Sequence, residues 1–214
     1  MIQPFNRYDG ALREDIFRRM PISTLRARTA PTSIGELLGH YEEFSAKRHE
    51  QRMYPWASRF VLGYPLPDWQ RDPDWSMGQS RRFIASIWGD VDLGSYLFNG
   101  AYEVISGGTE EAGPSDTYRK LSFALLDGQQ RLRAIENYVL NQFAVPDAQG
   151  VACYWSELGK VERRFFCNKL FAQSTIECWD ENVLRQVHDL RSFGGTSHQE
   201  HQRASPVPSD HDWF

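Results

Sequence analysis

The sequence predicts an α+β domain with a small mixed sheet flanked by helices. Amphipathic stripes at spacings of three and four alternate with apolar runs of strand length. One such run, at 121–126, meets a helix start directly. With 214 residues, 41% of them hydrophobic, the chain is long enough to bury roughly 70% of its extended surface without metal or disulfide staples.

Taken in order, residues 1–34 are polar and Arg-rich, punctuated by Pro4, Pro21 and Pro31, and read as an N-terminal arm. The main domain is expected over 35–196 and a loose polar tail over 197–214. The spacing of Leu37, Leu38, Tyr41 and Phe44 predicts a helix over 35–53, and residues 60–66 read as a short strand. Ser76 followed by Gln79 is a capping-box pattern. The helix it opens carries Met77, Phe83, Ile84, Ile87 and Trp88 and stops near Gly89. Asn99-Gly100 between two strand-like runs predicts a hairpin within 93–105, and 107–118 reads as a loop.

A buried strand is expected over 121–126, then a helix from Gly128 to about Asn141 that turns Leu132, Ile135 and Val139 inward. Strands at 151–155 and 169–178 and a helix at 158–167 follow. A last helix starts at Asp180, with Trp179 and Leu184 placed as a hydrophobic staple, and ends near Gly194-Gly195.

The net charge of −4 argues against a surface that coats nucleic acid throughout, while leaving room for a local basic patch. Cys153, Cys167 and Cys178 are odd in number and include no CxxC pair, which points to small buried hydrophobes. No apolar run approaches the ~20 residues of a membrane span. Arg7, Arg13, Asp15 and Arg18 interrupt any signal-peptide pattern, so a cytoplasmic protein is expected.

The chemistry concentrates at Asp127-Gly128-Gln129-Gln130-Arg131. A helix start exposes unpaired N–H groups and the positive end of the dipole, both of which favour phosphate. Gly128 permits close approach to the backbone, Arg131 offers a forked cation, and Gln129 and Gln130 add amide donors. Asp127 is suited to hold Mg²⁺ or orient a water. A second reading stands beside this one: Asp127 as N-cap with Gln130 three residues on is a capping box that needs no ligand.

Upstream lies Pro67-Asp68-Trp69-Gln70-Arg71, with Trp75 beyond it. Together the two segments resemble the ParB/sulfiredoxin-like superfamily, and within it the N-terminal domains of GmrSD restriction endonucleases. That family carries a Pro-x-aromatic-Gln-Arg…Trp segment and, tens of residues later, Asp-Gly-Gln-Gln-Arg-Leu. The stretch Phe193 to His198 is similar to the end of short members, and the resemblance spans roughly residues 60–204.

The resemblance implies a ParB-like domain that binds a nucleoside triphosphate with Mg²⁺ and hydrolyses it slowly, within a DNA-defence or DNA-processing system. Gly128 and Arg131 would hold phosphates, with Gln129 and Gln130 beside them. Arg71 would add a second cation, Gln70 would bond the nucleotide or a water, and Asp127 would hold Mg²⁺ or the attacking water. His198 would fold back to the site. The family's His-Asn-His nuclease domain is not expected in this chain, so neither is cleavage by this chain alone. Two alternatives remain: a DNA-binding or adaptor module serving a separate effector protein, and a phosphotransferase.

Weaker candidates read as structure. His198, His201 and His211 fall in a Pro/Ser-rich stretch unsuited to rigid metal ligation. Gly107-Gly108-Thr109 lacks the Lys-Ser/Thr of a phosphate loop. Arg81 and Arg82 suit a solvated helix face. Trp69 and Trp75 suit base stacking and a core equally.

Overall fold

The computed structural model describes residues 25–47, 50–107 and 116–193. The described chain is mixed α+β. In order it forms β1 (Arg28–Ala30), α1 (Ile34–Ala46), β2 (Arg59–Val61), β3 (Tyr64–Leu66), α2 (Met77–Trp88), β4 (Ser95–Asn99), β5 (Val104–Ile105), β6 (Thr117–Tyr118), β7 (Leu125–Asp127), α3 (Gln129–Val139), β8 (Val145–Pro146), β9 (Ala152–Cys153), α4 (Lys160–Cys167), β10 (Ala172–Ile176) and α5 (Glu181–Phe193).

The main sheet has four strands in the order β1-β10-β4-β7. β10 runs parallel to β4, while β1 and β7 run antiparallel to their neighbours. The segment read from sequence as an arm therefore contributes the β1 edge. Three two-stranded ribbons complete the strands.

Side chains alternate across the sheet, as the two-residue strand period requires. Tyr96 and Leu125 face one core with α1, α2, α3 and α4 packed on it. Leu97 and Leu126 face a second, smaller core closed by Leu184 of α5. The end of β7 thus lies between α3 on one face and α5 on the other.

Local chemistry explains the helix starts. Ser33 and Glu36 close a capping box on α1, and Ser76 and Gln79 close the expected one on α2. On α3, Leu132 and Ile135 are fully buried, while Tyr138 takes the deep position expected of Val139. Burying each such side chain contributes roughly 1.5–3 kcal/mol.

Three further sequence expectations change. The strand expected over 60–66 is a hairpin, because Leu62 and Gly63 both take positive φ, 46° and 86°. The His40 ring meets the Leu62 carbonyl at 3.0 Å, and Glu136 accepts from the Leu62 N–H at 3.0 Å.

The strand expected over 121–126 is strand only from Leu125, because Leu121 and Phe123 sit at φ 71° and 56°. Burial of the run was legible; its conformation was not.

Asn99-Gly100 is no hairpin turn. Asn99 clamps the sheet end, its Nδ2 donating to the Leu121 and Cys178 carbonyls and its Oδ1 accepting from the Cys178 N–H. Gly100 packs so close to Thr175 that a Cβ would stand 2.5 Å from its methyl.

All three cysteines are free thiols. Among the described residues no helix is long and apolar enough to cross a membrane.

Candidate functional site

The strand-to-helix turn forms where the sequence places it, but its parts are used differently. Gly128, not Asp127, is the N-cap of α3, at φ 101°, and no side chain caps the helix. Asp127 is the last residue of β7. The Asp127–Gln130 capping box does not form, because long-range partners claim both side chains. Gly128 is required by its left-handed backbone and by β4, since a Cβ would stand 2.6 Å from that of Tyr96. That packing reason replaces the one argued from ligand approach.

The two glutamines join the two motifs. Gln130 reaches across 56 residues, donating from Nε2 to Asp74 Oδ1 at 2.6 Å, and its Oε1 accepts from the Trp75 N–H at 3.4 Å. Gln70, only 4% exposed, donates from Nε2 to the Leu125 carbonyl at 2.6 Å. Its own carbonyl accepts from Arg59 Nη2. Gln70 is therefore a positioning residue that fastens the Trp69–Trp75 segment to β7. Arg71 remains largely exposed and pairs with Asp74 at 2.9 Å.

Arg131 is both strut and cation. Its Nη1 donates to the Leu93 carbonyl at 2.9 Å, and its Nη2 to the Ser95 carbonyl at 3.1 Å and Asp127 Oδ2 at 3.2 Å. Arg191 of α5 reaches the same groups: Nε to Asp127 Oδ2 at 2.9 Å and Nη2 to the Ser95 carbonyl at 2.7 Å. Two guanidiniums thus share one carboxylate oxygen. Burial pulls the Arg131 pKa below its ordinary value; Asp127 opposes this and Arg191 adds to it. An anion bound there would offset both unfavourable influences.

A cleft of about 540 Å³ opens over this cluster and takes in Arg71, Gly128, Gln129 and Gln130. Arg71 and Arg131, sixty residues apart, both line it, each paired with a carboxylate, Asp74 and Asp127. Arg71, Arg131, Arg185 and Arg191 line it with Asp127 and Asp189, while Asp74 and Glu181 pair with Arg71 and Arg185. Gln129, 9% exposed, lines the cleft with its Nε2 buried and without a hydrogen-bond partner.

Trp69 and Trp75 serve core and cleft together. Trp75 packs on the main core, edge-on to Phe83, and Trp69 on the smaller one, with the Arg185 guanidinium 5.2 Å above its ring. Arg81, read as part of a solvated face, donates to the Ala144 carbonyl.

His198, His201 and His211 lie outside the described residues, as do Gly108 and Thr109. Among the described residues no group of three or more His, Cys, Asp and Glu side chains could hold a metal. The two guanidiniums on Asp127 also oppose a divalent cation bound there by the protein. The Mg²⁺ expected from sequence does not fit Asp127 as a resident ion.

Sequence reasoning missed the α5 wall: Arg185, His188 and Arg191. His188 and Arg191 stand four and seven residues after buried Leu184, in the same stripe of the helix, with Arg185 at its edge. Such a stripe is indistinguishable from a solvated face until the helix is docked. Comparisons with protein families, curated proteins and solved structures return no match.

Proposed function

We propose that this chain is a ParB-like nucleotide-binding domain that takes a nucleoside triphosphate at the Asp127–Arg131 turn. The observation that carries this reading is the Arg131–Arg191 pair sharing Asp127 beside an uncapped helix start. Two guanidiniums converge there on a single carboxylate, an arrangement that an anion stabilises. The buried, unpartnered Gln129 amide in the same cleft supports it. A concave site of this size suits a small ligand better than duplex DNA.

In this reading the first-turn amides of α3, Arg131 and Arg191 hold phosphate oxygens, and Arg71 closes on them from the opposite wall. Mg²⁺ enters as part of the Mg–nucleotide substrate. Asp127 orients the two arginines. Slow triphosphate hydrolysis in a DNA-defence or DNA-processing system, alongside a separate effector, follows from the resemblance of the two motifs.

Thermal unfolding against the four nucleoside triphosphates, with and without Mg²⁺, tests it. A ligand at 100 times its Kd stabilises by about 2.7 kcal/mol, and at least one triphosphate should raise Tm accordingly. No shift with any of them would sink the reading and promote the DNA-adaptor alternative, in which the same arginines meet DNA phosphate.

A further inference from the structure

His188 on α5 lines the cleft but belongs to neither sequence motif. Its Nδ1 lies 2.6 Å from the Leu126 carbonyl. A carbonyl only accepts, so Nδ1 carries a hydrogen, and in the neutral ring the lone pair sits on Nε2. Nε2 bonds to no described residue. The ring is held in place, edge-on to Trp69 at 5.2 Å between centroids.

The carbonyl that fixes the ring belongs to the residue before Asp127. His188 therefore stands at the same strand end as the two guanidiniums. Asp127 Oδ2 takes Arg131 and Arg191, so its carboxylate holds the two guanidiniums in place. An oriented imidazole with an open lone pair, anchored by a backbone carbonyl and lining an arginine-rich cleft, has the arrangement of a general base.

We propose that His188 is the general base of this site, activating a water against the terminal phosphoryl group of the bound triphosphate. The inference rests on the nucleotide reading above. The water oxygen forms a bond to the terminal phosphorus, and the bond from that phosphorus to the bridging oxygen breaks. The bridging oxygen leaves with the electron pair on the diphosphate. The water proton passes to His188 Nε2, and the imidazolium later releases it to solvent. Arg131 and Arg191 stabilise the charge on the phosphoryl oxygens during the transfer.

The test uses the full chain and the Mg²⁺ salts of the four nucleoside triphosphates, with Kd and hydrolysis measured separately. His188→Asn keeps an amide donor near the place of Nδ1 but supplies no base. It should bind nucleotide within about threefold of wild type and lose about 100-fold or more in kcat. His188→Ala should behave alike and regain turnover with added imidazole, which a merely structural histidine would not produce.

Hydrolysis by His188→Asn within threefold of wild type overturns the proposal. So does a wild type that binds nucleotide without hydrolysing it, an outcome that leaves the nucleotide reading standing. A wild type that binds none of the four overturns both.

Discussion

Helices α2 and α3 start from the same local pattern, a capping residue followed three positions later by glutamine. At α2 the pattern closes on itself: Gln79 N–H donates to Ser76 Oγ at 3.2 Å and Ser76 N–H to Gln79 Oε1 at 2.7 Å. At α3 it does not. Asp127 is drawn into an ion cluster with Arg131 and Arg191, Gln130 into the Trp75 segment, and a left-handed glycine takes the cap position. A helix start that satisfies itself is finished structure. One whose capping side chains are diverted leaves its amides facing a cleft, where a ligand can complete them.

The largest effect expected from this contrast is at Gly128. Gly128→Ala meets both a left-handed backbone and the Tyr96 Cβ at 2.6 Å. It should cost roughly 2–4 kcal/mol, combining backbone strain and overpacking. Urea unfolding checks this, and a variant as stable as wild type would show that the turn is not locked.

Next come the arginines. Arg191→Ala should weaken Mg–nucleotide binding roughly ten- to a hundred-fold, the worth of one charge-assisted contact. It should cost less stability than loss of Arg131, since Asp127 and the Ser95 carbonyl keep Arg131 as a donor. Arg131→Ala should lose comparable affinity and destabilise the fold more, because the Leu93 carbonyl loses its side-chain donor while the Ser95 carbonyl keeps Arg191. Paired calorimetric titrations and melts separate the two; equal Tm losses would place both arginines in a purely structural role.

The smallest effects distinguish the two helix starts. Ser76→Ala should cost about 1 kcal/mol and leave nucleotide affinity untouched. Gln130→Ala should cost no more than that, yet weaken binding several-fold by releasing the segment that carries Arg71. If Gln130→Ala changes stability alone, the two helix starts are equivalent and the contrast fails.

Sequence by itself determined what short-range physics controls. The helix start at Ser76, the apolar stripes of α1, α2 and α3, and burial of the 121–126 run depend on neighbours a few residues away. The same holds for a charged strand-to-helix turn at Asp127. Backbone sign was less legible, because Leu62, Leu121 and Phe123 are not residues that announce positive φ; surrounding contacts hold them there.

The site's completion was decided only in three dimensions. Arg191 meets Asp127 across 64 residues, and His188 meets Leu126 across 62. Both stand on the same face of α5 as Leu184, and they reach β7 only once Leu184 seats the helix on the second core. No local pattern encodes that docking: it follows from which face of the sheet remains to be covered once the other helices have taken theirs, a balance of apolar burial over the whole chain.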